Sequence, residues 1–301
     1  MNNAIHKQAL ASVCLGTLNR VWQQPFCLLI GIDRGIHTSA AGQYLSPLAR
    51  YIQSSVKGMP ASSNFQEAIR EAQSSALVGP NVVNKALPYV GGGMVLTAAG
   101  VLGGMSTMVA MGPAFNGLSM VAIIPWFILF FVAQNAAKKG NNGTALPLMA
   151  AFSLLTGFTL TGLVVQAVAV AGVASIGIAA LATGLTFAIA SVVGRRMSDS
   201  VGQALSAVVG FGLIGLLIAM VGIFVAGFFI PGIFAATNLA IAGFGTVLFV
   251  GMAFVDFYTM PRTYRDDQYL AGALGMYLTY INLFIFILRL IIAIQGGGRR
   301  D

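Results

Sequence analysis

Charge is what this chain has least of. Only 8% of its 301 residues are Asp, Glu, Lys or Arg, against about 25% in an ordinary soluble domain. Cysteine is scarce as well. Cys14 and Cys27 are the only two, and both precede the first long apolar run. Two thiols without a histidine cluster make a poor zinc site, so they read as small apolar side chains in a reducing compartment. The two histidines, His6 and His37, have no acids arranged beside them for catalysis or metal binding and read as surface residues. No serine–histidine arrangement, HExxH, glycine-rich phosphate loop or intramembrane pair of acids stands out. Gly91-Gly92-Gly93 opens a helix with nothing around it that reads as a phosphate site. These absences point away from an enzyme and away from any cofactor or bound metal. The formal net charge of +8 does not signal nucleic acid. The basic residues lie between apolar runs and in the N-terminal region, where they set membrane orientation.

What the chain has is apolar length: 57% of it is hydrophobic. Uncharged runs of about 18 or more apolar residues read as membrane-spanning helices, and continuous rather than alternating hydrophobicity excludes a transmembrane β-barrel. The prediction is an all-α polytopic membrane protein, a seven-transmembrane-helix bundle with an N-terminal extension. The spans fall near Leu87–Met111, Leu118–Asn135, Ala145–Val168, Ala171–Gly194, Gln203–Phe229, Asn238–Met260 and Gly272–Gln295. Residues 1–86 form a soluble or membrane-surface extension, 87–295 the transmembrane domain, and 296–301 a short polar tail. Ala9–Leu18 is a weak apolar core, but Asn19 and Arg20 stand where a signal peptide needs small residues. The run Phe26–Ile32 is too short to span. Ser46–Val56 and Asn64–Ala76 read as short amphipathic helices, the second with a capping-box pattern in Asn64 and Glu67. A docking segment for a partner or for the membrane surface is the alternative reading of this region.

The basic residues alternate along the chain. They crowd the region before span one, then recur as Lys138 and Lys139 after span two, Arg195 and Arg196 after span four, and Arg262 and Arg265 after span six. The intervening turns have none. The positive-inside rule then places the N-terminus in the cytoplasm. An odd number of spans leaves Arg299 and Arg300 outside, so a re-entrant last helix stays open beside a full crossing. Asn142-Gly143-Thr144 matches a glycosylation acceptor, but it falls on the inner side and reads as a turn. Gly100 and Gly104 form a GxxxG, and Gly210, Gly212 and Gly215 cluster in span five. Such small faces let helices approach closely in lipid. Pro125 and Pro231 are placed to bend or end helices.

Asp256 is the only acid inside an apolar span, and an ionisable group there is a functional-site hypothesis by default. It lies about four residues from the inner end of span six, and Thr279 about seven residues into span seven from the same side, so at ~1.5 Å per residue their depths nearly match. That predicts a polar latch between the Asp256 carboxyl and the Thr279 hydroxyl. The alternative is that Asp256 solvates at the interface or pairs with Arg262 or Arg265. Arg289 lies about 15 Å beyond Thr279 along the helix. It either snorkels to the outer headgroups or forms a guanidinium plug that repels cations.

The stretch Tyr277-Leu278-Thr279-Tyr280-Ile281-Asn282-Leu283-Phe284, followed by Leu288-Arg289, resembles the closing motif of the Bax-inhibitor (transmembrane Bax inhibitor motif) family. Phe254-Val255-Asp256 looks like that family's aspartate-bearing stretch, and Pro147 to Gly162 is similar to its third-span motif. The resemblance implies a seven-helix protein of the bacterial inner membrane that leaks calcium or protons, gated by two aspartates of spans six and seven that share a proton. Other members modulate a membrane-bound protease or survival signalling. This chain departs from the pattern at two positions, with Thr279 in place of the family's second aspartate and Thr156 in place of the third-span glutamate. A lone carboxylate cannot show the coupled titration of a pair. Calcium also wants about six to eight oxygens, usually with several carboxylates. Two readings follow. One is a pH-responsive calcium or proton leak pathway gated near Asp256. The other is a non-conducting regulator that binds a membrane partner such as a membrane-bound protease.

Overall fold

The computed structural model describes residues 77–297. The two cysteines, the two histidines, the amphipathic segments of the N-terminal region and the Arg299–Arg300 pair lie outside the described residues. Within 77–297 the chain forms helices α1 (Val82–Met111), α2 (Ala114–Val121), α3 (Ile123–Lys138), α4 (Asn142–Ala171), α5 (Ala174–Val193), α6 (Asp199–Ala226), α7 (Ile233–Thr263) and α8 (Tyr269–Gly297). Seven stretches are long and apolar enough to cross a membrane: α1, α2 with α3, α4, α5 with the short 3-10 turn Gly194–Arg196, α6, α7 and α8. The all-α, seven-helix expectation holds.

The helices reach further than the apolar runs at one end of the bundle. α1 begins at Val82 rather than Leu87, α3 runs to Lys138, α4 begins at Asn142, α7 runs to Thr263 and α8 begins at Tyr269. The extra turns carry polar residues that bond to neighbouring segments, so hydropathy alone ends the helices too early. Gly91-Gly92-Gly93 consequently lies inside α1 rather than at its start, and Asn142 opens a helix rather than occupying a turn. The expected single second helix is two. Pro125 has no N–H to donate to the Val121 carbonyl four residues back, and the helix breaks at Ala122.

α8 is the most buried span. It packs against α7, α1, α4, α5 and α3, and its buried residues, among them Leu270, Leu274, Met276, Tyr277, Thr279, Leu283 and Leu288, occur on all sides. A helix apolar all round belongs at the centre of such a bundle. α6 is the converse, packed mainly on α7 and presenting Val208, Phe211, Ile218 and Phe224 outward. The tightest junction is α1 on α4. A Cβ at Gly100 would overlap the Leu154 carbonyl, one at Gly104 the Thr161 hydroxyl, and one at Gly157 the Thr97 carbonyl. The GxxxG pattern thus works within the chain, bringing backbones together where lipid supplies no hydrophobic drive.

The turns at the charged end are woven together around residues 264–268. The Asn81 N–H donates to Asp266 (3.0 Å), and the Lys85 amine lies 3.9 Å from the same carboxylate. Asn142 Nδ2 donates to the Asp267 carbonyl (2.9 Å), Gln268 Nε2 to the Lys138 carbonyl (2.6 Å), and Arg195 to Asn84 Oδ1 (2.9 Å). Gly140 takes φ of 73° in the α3–α4 turn, a left-handed conformation that glycine adopts without a steric penalty. Its Cα faces the Asp267 carboxylate.

Candidate functional site

α7 and α8 form an antiparallel pair closed by two glycines. At the charged end Gly272 of α8 leaves room for the Met260 side chain of α7, and further in Gly245 of α7 receives the ring of Phe286 from α8. Asp256 and Thr279 lie between these two contacts. Asp256 sits roughly 10 Å inside the Thr263 end of α7. Its carboxyl has the Thr279 hydroxyl within side-chain hydrogen-bonding reach. Its Oδ2 is shielded from solvent and has no hydrogen-bond partner. Thr279 is 3% exposed, which leaves its hydroxyl no solvent to turn to.

Neither arginine offered as a partner for Asp256 pairs with it. Arg262 lies 3.0 Å from Asp199, donates to the Tyr258 carbonyl (2.8 Å) and stacks 4.0 Å above the Tyr258 ring. Arg265 lies 2.9 Å from Asp267. That alternative is corrected on geometric grounds. Six residues on a helix turn the side chain by about 120°, so Arg262 leaves the α7 face that carries Asp256. In the turn outside the membrane, the Arg265 hydrogen bond holds the Asp267 carboxyl below the usual carboxylate range.

A second polar cluster lies on the far side of α8. Tyr277 is two residues, about 200°, from Thr279. Its hydroxyl is 2.6 Å from that of Thr97 on α1. The single Thr97 hydroxyl proton is shared between the carbonyls of Gly93 (2.8 Å) and Ser153 (3.2 Å). Thr156 belongs here and not to the Asp256 seam. It accepts from Trp126 Nε1 at 2.8 Å and donates to the Phe152 carbonyl at 2.7 Å. Hydroxyls on α1, α4 and α8, with the indole of α3, thus join four helices through one small network. Removing the phenolic oxygen with Tyr277→Phe is expected to cost about 0.6–1.7 kcal/mol, the range for hydrogen bonds between membrane helices. Thermal unfolding in detergent would measure it.

Asn282 and Arg289 are half-buried on α8, and neither side chain has a hydrogen bond or ion pair among the described residues. The sequence did not single out Tyr277, Thr97, Trp126 or Asp199. Their partners are 30 or more positions away, and although Tyr277 opens the closing motif, nothing local marks what it or the others bond to. Only the charge of Asp199 beside an apolar run was a signal that could have been used.

Residues 79–296 match the family described as inhibitor of apoptosis-promoting Bax1. The chain belongs to the Bax inhibitor family. It is similar to a protein of Streptococcus pyogenes serotype M1 named as an uncharacterized membrane protein, with 30% identity over 191 residues, 60% of this chain and 74% of the relative. The protein YrjE of Lactococcus lactis is 27% identical over 192 residues, 60% of this chain and 76% of the relative. Bax inhibitor 1 of Schizosaccharomyces pombe is 36% identical over 70 residues, 23% of this chain and 26% of that protein. With seven apolar helices, this Bax inhibitor family member is an integral membrane protein in contact with the bilayer. The matched segment starts just ahead of α1 and ends within the last turn of α8, so it contains both polar clusters.

Proposed function

We propose that this protein is a non-enzymatic small-ion leak pathway whose gate is the Asp256–Thr279 pair. The observation that carries the reading is the Asp256 carboxyl, held in the α7–α8 seam with one oxygen shielded and unpartnered and the Thr279 hydroxyl beside it. A protonated carboxyl could donate to that hydroxyl and hold the two helices together. Loss of the proton removes the donor and places a charge in the seam. Protons, or calcium by analogy with channel-like relatives, are the ions considered. By the positive-inside rule the charged end faces the cytoplasm, and a bacterial inner membrane is the matching location. The test is flux into proteoliposomes at two pH values. Asp256→Asn is expected to leave a flux that no longer changes with pH. A variant that keeps the wild-type pH dependence rejects the gate.

A second reading is a non-conducting regulator that binds another membrane protein, such as a membrane-bound protease, through residues 1–86. It is supported by Thr156 and Thr279, hydroxyls at two positions where channel-like relatives carry acids. A protein silent to every ion that co-purifies with a membrane protein would favour it.

A further inference from the structure

α1 and α4 meet backbone to backbone at Gly100 and Gly157, but toward the charged end they part around an open groove. It holds about 110 Å³ and is lined chiefly by Tyr89, Gly92 and Leu96 of α1 and by Leu146, Met149 and Ser153 of α4. The opening has a cause in the sequence. A Cβ at Gly93 would meet the Tyr277 ring, whereas one at Gly92 would meet nothing within 4 Å. Gly93 thus serves packing, and Gly92 leaves space. The walls make no polar demand, because the Ser153 hydroxyl is spent on the Met149 carbonyl (2.9 Å). Polarity is confined to one end. At about 100° per residue, Lys85, Tyr89, Gly92 and Leu96 fall within an arc of roughly 60° on α1, so the lysine stands on the same face one turn beyond the groove. The Tyr89 ring packs on Tyr269 of α8, with centroids 5.2 Å apart. The Lys85 amine donates to the Asp266 carbonyl (3.3 Å), lies 3.9 Å from the Asp266 carboxylate, and has its side chain 49% exposed. An ammonium has three protons to donate, so it keeps a donor for a further oxygen.

We propose that this groove seats one acyl chain of a phospholipid from the leaflet at the charged end, with Lys85 against its phosphate. Depth selects that occupant first. The apolar run of α1 begins at Leu87, and Tyr89 and Leu96 lie about 10 Å apart along the helix, so the groove fits within one leaflet's apolar half of about 15 Å. Width selects it next. An apolar cavity of about 150 Å³ takes up benzene, so this one suits a narrow chain, whereas a partner's helix is about 10–12 Å across. The direction of polarity completes the match: apolar at Leu96, then tyrosines where aromatic rings border the headgroups, then a cation. Lysine binds phosphate as a point charge. The Asp266 carboxylate beside Lys85 offsets its charge, so the phosphate, rather than the net charge of the headgroup, is the feature recognised. The groove lies on the α1–α4 side of the bundle, and its occupancy does not depend on conduction.

The test uses the full-length protein in phosphatidylethanolamine–phosphatidylglycerol liposomes. These carry either a phospholipid or a diacylglycerol with a diazirine midway along one acyl chain, and the labelled peptides are mapped by mass spectrometry after illumination. The phospholipid is expected to label residues 89–96 and 146–153 well above the outward face of α6, where Ile218 and Phe224 are exposed. The diacylglycerol is expected to label them several-fold less. Gly92→Leu fills the groove and is expected to lower its labelling about tenfold, the equivalent of 1.4 kcal/mol of binding. Gly91→Leu, at the neighbouring open position outside the lining, is expected to keep it. Leu146→Trp, which closes the mouth from α4, replaces Gly92→Leu if that variant does not assemble. Lys85→Met is expected to erase the preference for the phospholipid while leaving the chain seated. Groove labelling no higher than that of α6, or unchanged by the filling variants, overturns the site. Equal labelling of the wild type by the two probes overturns the phosphate contact. Labelling seen in liposomes but absent in native membranes gives the groove to a protein partner and overturns the lipid.

Discussion

Gly157→Val is expected to abolish the seating of α1 on α4. An added Cβ at 157 meets the Thr97 carbonyl and the Val101 backbone nitrogen. Both belong to a helix backbone and cannot rotate aside as a side-chain tip would. Overpacking a core ordinarily costs about 1–3 kcal/mol when side chains can adjust, so a clash between backbones should exceed the upper end of that range. The α1–α4 junction is the most intimate in the bundle. It also sets Thr97 against Tyr277, so the hydroxyl network should fail with it. Gly162→Val is the matched control, on the same helix but with nothing within 4 Å of the added carbon. The measurement is monodisperse yield and thermal unfolding in one detergent. Gly162→Val should behave as wild type while Gly157→Val aggregates or melts far lower. Equal behaviour of the two would mean that the close approach is not needed for assembly.

The count and order of the spans were legible because burying a polar backbone in lipid demands long uninterrupted helices, and seven such runs are plain in the sequence. Their ends were not, for a reason visible at Asn84, Lys85, Asn142 and Arg262. Each is polar enough to look like a loop residue, yet each lies on a helix and bonds to another segment at the charged end, Lys85 and Asn142 to the α7–α8 turn, Asn84 to Arg195 and Arg262 to Asp199. Pro261, one residue past the expected end of span six, lies inside α7, where it forgoes one N–H bond to the Phe257 carbonyl while the helix continues to Thr263. The depth match of Asp256 and Thr279 was readable because α7 and α8 are adjacent and antiparallel, so distance from a shared turn fixes height. The face was also readable in principle. The 120° offset between Asp256 and Arg262 argues against their pairing before any coordinates exist. Tyr277 was out of reach by contrast, because its partners come from α1 and α4, and nothing local says which helices a central helix will meet.

The two polar clusters lie on opposite faces of α8. Toward α1 and α4 its hydroxyls are satisfied at short distance, as at Tyr277 and Thr97. Toward α7 one polar atom, the Asp256 Oδ2, is buried without a hydrogen-bond partner. A bundle selected only for stability would satisfy both faces or make both apolar. The asymmetry places the functional hypothesis on the α7 face and the structural one on the other.

Thr279→Asp is the change with the largest expected effect on activity. It places a second carboxyl where the Thr279 hydroxyl already lies within reach of Asp256. Two carboxylates at that separation, shielded from water, cannot both be ionised, so they share a proton and titrate as a unit in two macroscopic steps. If the seam gates conduction, the single transition of the wild-type pH–flux curve should become two. The pair also supplies up to four carboxylate oxygens in one place. Calcium binding, absent or weak with one acid, should tighten by about tenfold or more, which is 1.4 kcal/mol. Thr279→Asn isolates the charge, since its amide matches the size and hydrogen-bonding reach of the aspartate without the ionisation. Isothermal titration with calcium, and flux over a pH range that brackets both macroscopic steps, would read both effects. Were the Asp and Asn variants to trace the same curve at every pH, position 279 would have no part in gating. That outcome would favour the reading in which the protein binds a membrane partner without conducting.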